Sequence, residues 1–199
     1  MRKSAGLLMA MMLTAVMASS AGAAGNMVFG ITGGAAVPTG DFSDAASTGF
    51  NFGGTGTMML NQSWGVGADV AYHMWNGSDD LNAGTQLLLG DPSAEWKFSA
   101  VQATGHLQYM IPAQGAMHPY LQGGLGMYDI KAKLDSDSGS ADDSQSNFGW
   151  NLGGGFNYAV SPAYSLGLGA AYHMVQTDPS TTNLYTVNAT LMFGGGGSK

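Results

Sequence analysis

After residue 24 the chain alternates apolar and small polar side chains with period two, the spacing that places one set on each face of an extended strand. The last regular segment shows it most clearly. Tyr185, Val187, Ala189, Leu191 and Phe193 fall on one face, and Thr186, Asn188, Thr190 and Met192 on the other. The same alternation predicts earlier strands at about Met27 to Val37, Gly49 to Leu60, Trp64 to Trp75, Glu95 to Ile111, His118 to Lys131, Asn147 to Val160 and Tyr164 to Gln176. Turn chemistry separates them at Pro38-Thr39-Gly40-Asp41, Asn61-Gln62-Ser63, Pro112 to Ala116 and Ser161-Pro162-Ala163. Asn76 to Ser93 reads as a polar loop, and Asp135 to Asp143 as a solvated acidic one. Long connections therefore follow strands one, three, five and seven, and short turns follow two, four and six.

Composition changes the meaning of this pattern. Charged residues make up 10% of the chain, against roughly 25% in ordinary soluble domains. Glycine is abundant at 32 residues, and no apolar run after residue 24 is long enough for a membrane helix. Ahead of the first strand, Arg2 and Lys3 precede an apolar stretch from Ala5 to Val16, and small residues at Ala21 to Ala24 offer a cleavage motif. Residues 1–24 are thus expected to be a signal peptide, 25–193 a single β-domain, and 194–199 a flexible tail. The formal charge of −7 and the single arginine, Arg2, argue against nucleic-acid binding, which needs a basic surface to displace counterions. Without cysteine there is no disulfide framework, thiolate metal site or thiol nucleophile.

Alternation does not say which face lies inside. A soluble eight-stranded barrel would bury the large apolar set and wet the other with Lys and Glu. Here the second set is Gly, Thr, Asn, Gln and His, and Asp69 is the one charge well inside a strand. Small neutral groups suit the narrow interior of a barrel whose apolar face meets lipid. Aromatic spacing agrees: Trp64 and Tyr72, like Tyr164 and Tyr172, share a face eight residues apart. At ~3.3 Å per residue and ~40° tilt this spans about 20 Å, close to the ~25 Å apolar band between two aromatic girdles. Phe50, Phe52, Trp96, Phe98, Phe148 and Trp150 are assigned with Tyr72 and Tyr172 to the outer girdle. Tyr109, Tyr158 and Phe193 join Trp64 and Tyr164 in the inner one.

Three features carry a family resemblance: Pro38-Thr39-Gly40-Asp41-Phe42 after strand one, the Gly-x-Gly strands that run into Ala71-Tyr72-His73-Met74 and Ala171-Tyr172-His173-Met174, and the apolar stripe ending at Phe193. The chain resembles the eight-stranded outer-membrane β-barrel superfamily that includes the OmpA transmembrane domain and OmpX- and OmpW-type proteins. The resemblance implies an all-β, antiparallel up-and-down transmembrane barrel in the outer membrane, with the acidic loops outside the cell. It also implies that the Tyr185 to Phe193 stripe is a closing-strand signal read by the barrel-assembly machinery, and that lipid and lipopolysaccharide surround a monomeric barrel.

Candidate chemistry is sparse. Asp69 and His106 each lie five residues from the periplasmic end of adjacent strands and point inward. They are expected to pair structurally, because a lone interior carboxylate is costly. His73 and His173 sit near the outer ends of their strands on the inward face. They would suit a general base or a metal pair, although interior polar packing explains them more simply, and the His-x-Ser-Asn pattern of lipid A deacylase barrels is absent. In the acidic segment, Gly139 and Ser146 miss the sixth and twelfth positions of a calcium loop counted from Asp135. Inward glycines are expected to make room for Tyr120 and Tyr128. The expected function is a structural or surface-interaction barrel without cofactor, metal or catalysis. An OmpW-like conduit for small hydrophobic molecules stands as the alternative, and a lipid-modifying enzyme comes third.

Overall fold

The computed structural model describes residues 27–194 apart from 138, 162 and 179, so the signal peptide expected at 1–24 and residues 195–199 of the expected tail lie outside the described residues. Eight strands form: β1 (Met27–Thr39), β2 (Gly49–Met59), β3 (Trp64–Asn76), β4 (Glu95–Met110), β5 (Met117–Ser136), β6 (Gly139–Ala159), β7 (Tyr164–Gln176) and β8 (Thr181–Gly194). Each pairs antiparallel with its chain neighbours, and β8 pairs back to β1, with Phe193 opposite Phe29, to close the barrel. No helix among the described residues is long and apolar enough to cross a membrane.

The register sets the shape. Stepping across partners from Phe29 through Gly56, Ala68, Gly105, Leu125, Trp150, Met174 and Asn183 returns to Thr39, ten residues further along β1. Eight strands with that stagger tilt by about 40°, and their interior is just wide enough for side chains to fill.

The apolar set faces outward. Ile31, Leu125, Leu152 and Leu168 are exposed, while Asn51, Thr57, His73, Gln102, Thr104, His106, Asn151 and Thr186 are buried inside. Two aromatic belts bound the apolar surface. Trp64 packs on Tyr109 at 4.8 Å and Phe29 on Phe193 at 6.4 Å at the end that carries the termini. Phe52 packs on Tyr72 at 5.7 Å, and Tyr172 lies between Trp150 at 6.0 Å and Tyr185 at 4.9 Å at the other. Phe50, Phe148, Tyr158 and Tyr164 are likewise exposed on the outer surface.

Several expectations are corrected. Trp96 and Phe98 do not join the outer belt: they share the face of buried Ala100, Gln102 and Thr104, so strand parity turns them toward the barrel axis. The Asn76 to Ser93 segment is not only loop, since it holds helix α2 (Asp79–Leu89), started by Ser78, whose Oγ accepts from Leu81 N at 3.3 Å, and stopped by Gly90 at φ 65°. β1 runs through Pro38 and Thr39, and the turn at Gly40 leads into the short helix α1 (Asp41–Ala45). Gly194 continues β8 opposite Val28 rather than starting a tail. The segment Asp135 to Asp143 is mostly strand: β5 and β6 extend past the membrane band as one long hairpin, its register running out to Ser136 opposite Gly139. Strand extension, instead of a long loop, makes the end opposite the termini asymmetric there.

Candidate functional site

The barrel interior is arranged in layers, and the outermost is apolar. Phe42, delivered by α1, packs edge-on against Trp75 at 5.2 Å and Phe98 at 5.8 Å. Ala36, Ala46, Ala100 and Leu184 are buried in the same cluster. Trp75 Nε1 donates to Ala36 O at 3.1 Å, which ties the plug to β1. The end of the barrel opposite the chain termini is thus filled by a small aromatic core.

Beneath it lie the two rim histidines, which the plug covers: His73 is 2% and His173 5% exposed. The His73 ring stacks under Trp75, with centroids 5.5 Å apart and planes within 6°, and meets His173 edge-on at 5.9 Å. Hydrogen bonds form two chains. His73 Nε2 donates to Gln102 Oε1 at 3.0 Å, and Gln102 Nε2 donates to Thr104 Oγ1 at 2.9 Å. Asn151 Nδ2 donates to the Tyr128 hydroxyl at 3.3 Å, the Tyr128 hydroxyl is hydrogen-bonded to His173 Nδ1 at 3.0 Å, and His173 Nε2 to Thr186 Oγ1 at 3.1 Å. Both ring nitrogens of His173 thus have partners, while His73 Nδ1 is buried without one among the described residues. Neither chain contains a carboxylate to orient a catalytic base, and no group of three or more His, Cys, Asp or Glu side chains among the described residues is placed to hold a metal ion.

One level further in, Asp69 Oδ2 accepts from His106 Nδ1 at 2.8 Å and from Gln122 Nε2 at 3.0 Å. Thr57 Oγ1 meets the other imidazole nitrogen, His106 Nε2, at 3.0 Å. Four strands, β2 to β5, contribute to this cluster. Two of its members, Thr57 and Gln122, escaped sequence reasoning, because only the register of β2 and β5 brings them to the pair. Close packing of large and small groups accompanies it: the His106 ring lies over Gly67, Tyr128 over Gly149, and the Tyr120 hydroxyl over Gly169.

A cavity of about 300 Å³ occupies the inner part of the barrel. Thr32, Thr55, Asp69, Gln122 and Asn188 supply polar walls, while Met59, Met110 and Met192 line it near the periplasmic ends of their strands.

Outside the membrane band, Lys97, Lys131 and Lys133 alternate with acids on the outer surface of β4 to β6. Lys97 reaches Asp135 at 3.3 Å, Lys131 reaches Asp142 at 2.9 Å, and Lys133 also holds Asp135. From Gly139 to Phe148 one edge of β6 has no strand partner among the described residues, since pairing to β7 begins at Gly149.

Comparison with known proteins matches this architecture. No curated protein sequence matches significantly. Among solved structures, Neisserial surface protein A is similar with a TM-score of 0.58 and 19% identity over 85% of this chain and 97% of that one. Ail, the attachment invasion locus protein of Yersinia pestis, gives 0.52 and 19% identity over 85% of this chain and 99% of its own. A major outer membrane protein from Thermus thermophilus gives 0.50 and 12% identity over 84% and 98%. At such identities the likeness speaks for the fold. The family model for the outer membrane protein beta-barrel domain matches residues 6–194. The chain belongs to the outer membrane β-barrel family, and the lipid its apolar face meets is that of the outer membrane.

Proposed function

We infer that this protein is a non-catalytic surface-interaction barrel that presents its β5–β6 hairpin to partners outside the cell. The observation that carries the reading is that no other strand among the described residues lies along the outer side of β6 between Gly139 and Phe148. At ~3.3 Å per residue, the stretch from Gly139 to Phe148 is an edge of roughly 30 Å that rises out of the outer aromatic belt at Phe148. Unpaired backbone N–H and C=O groups on such an edge accept an extended segment of another chain as an added strand. Asp143 on that strand favours a partner segment carrying Lys or Arg.

What weighs against a conduit for hydrophobic molecules is the aromatic plug at the outer end of the barrel. The polar layer around His73 and His173 serves the barrel's own packing. The alternating Lys and Asp belt on β4 to β6 faces the lipopolysaccharide zone, and the Tyr185 to Phe193 stripe is the segment the assembly machinery would read during insertion of a monomer.

Cells displaying the protein test this on wells coated with extracellular-matrix proteins. Wild-type cells are expected to adhere above vector controls. Cells carrying a variant with Lys131 to Ser144 replaced by a tight turn are expected to lose adhesion while the barrel stays heat-modifiable on gels. Equal adhesion of the two strains would reject the hairpin as the binding element.

A further inference from the structure

The geometry points to a binding site for a soft monovalent metal ion, copper(I), formed by the thioethers of Met59, Met110 and Met192 at the periplasmic mouth of the barrel. All three side chains face the same cavity. They come from β2, β4 and β8, near the strand ends that share the Phe29–Phe193 and Trp64–Tyr109 belt with the barrel's termini.

Strand register, two glycine gaps and the side chains of Gln108 and Asn157 relate them around the mouth. Met59 Sδ occupies the space beside Gly65, where an added Cβ would lie 2.9 Å from it. Gly65 is the register partner of Gln108, whose Nε2 donates to Met110 Sδ at 3.4 Å. Met110 Sδ also faces Asn157 Nδ2 at 4.0 Å. The position a Cβ on Gly167 would take lies 3.0 Å from Asn157 Oδ1 and 3.1 Å from Met192 Cε. Gly65 and Gly167 thus open matching places on β3 and β7, into which a methionine leans from the strand next door. Unbranched methionine side chains have the rotational freedom to turn three sulfurs toward one point.

The donor set selects the metal class. Thioethers are soft, uncharged ligands that prefer copper(I) and its analogue silver(I) over zinc, magnesium or calcium. The chain contains no cysteine, so sulfur ligation here falls to methionine. Thioethers carry no acidic proton, and they resist the disulfide formation that removes thiols in an oxidising periplasm.

Protein extracted from outer membranes in detergent and labelled with ¹³C at its methionine methyls is titrated with silver nitrate in chloride-free buffer. Single substitutions Met59→Leu, Met110→Leu and Met192→Leu assign the three resonances and preserve volume, so the barrel is expected to stay heat-modifiable. The three methyl signals are expected to shift together and saturate at one silver per barrel. Each substitution is expected to weaken binding by roughly tenfold or more. Met58, Met74 and Met127, exposed on the outer surface, are expected not to move. Zinc nitrate at the same concentration is expected to leave all these signals in place. Equal silver affinity in the triple Met-to-Leu variant would overturn the site, as would shifts centred on the outer methionines or a zinc response matching that of silver.

Discussion

Asp69 Oδ2 and His106 Nδ1 lie 2.8 Å apart inside the barrel, on strands β3 and β4. Thr57 Oγ1 lies 3.0 Å from His106 Nε2, so both ring nitrogens have a hydrogen-bond partner. The pair is internally satisfied. Its arrangement is that of a structural clasp across four strands, with Gln122 as the fourth member. A double-mutant cycle with Asp69→Ala and His106→Ala is expected to show a coupling of about 0.5–3 kcal/mol. Urea unfolding of the refolded barrel measures it, and simple additivity would dissolve the clasp.

Glycine spacing inside the barrel is selective by face. A Cβ on Gly67 would collide with the Gly56 carbonyl and the His106 ring, whereas one on Gly105, facing outward, meets nothing nearer than Gly67 O at 3.8 Å. Gly67→Ala is therefore expected to destabilise by about 1–3 kcal/mol. Gly105→Ala is expected to change little. Comparable urea midpoints for the two variants would contradict the packing described.

Leu168 lies midway along β7 between the girdle residues Tyr164 and Tyr172 and is 60% exposed on the outer surface. In lipid that position is the middle of the bilayer. Leu168→Arg is expected to cost about 2–4 kcal/mol, while Ser144→Arg, on the projecting hairpin, is expected to be tolerated. Refolding yields into lipid vesicles, compared side by side, decide this.

The plug makes a prediction about permeation. With Trp75 and Phe42 in place the barrel is expected to pass no steady current in planar bilayers. Replacing both with alanine is expected to open the extracellular end and give measurable single-channel conductance. A steady current through the wild type would mean that the aromatic layer does not seal the barrel.

Outside the membrane, Asp135 titrates below the ordinary carboxylate value of 3.8, chiefly through its hydrogen bond from Lys133, with a second from Lys97. Because the folded value is depressed, the contribution is present above the ordinary value and is lost as pH falls through the folded one. The contact is exposed, so salt weakens it as well. Amide protection in the hairpin is expected to drop as pH falls below about 4, and Asp135→Asn is expected to flatten that dependence. Identical profiles for wild type and variant would exclude the Lys–Asp contacts as the cause.

Period-two alternation, low charge and the two aromatic spacings determine a lipid-facing β-barrel from the sequence alone, because strand parity assigns each side chain to a face without knowledge of its neighbours. Local chemistry also contained the signals for α2: Ser78 before Asp79 and Asp80, and Gly90 at the end, are start and stop marks within a stretch that reads as loop. Parity in the sequence likewise places Trp96 and Phe98 inside, with Gln102. Their membership of a plug depends on α1 carrying Phe42 across the barrel mouth. The Thr57 and Gln122 contacts, the methionine mouth and the free β6 edge were decided only in three dimensions. Each depends on the stagger between strands, and that stagger is a property of barrel closure, which no single strand encodes.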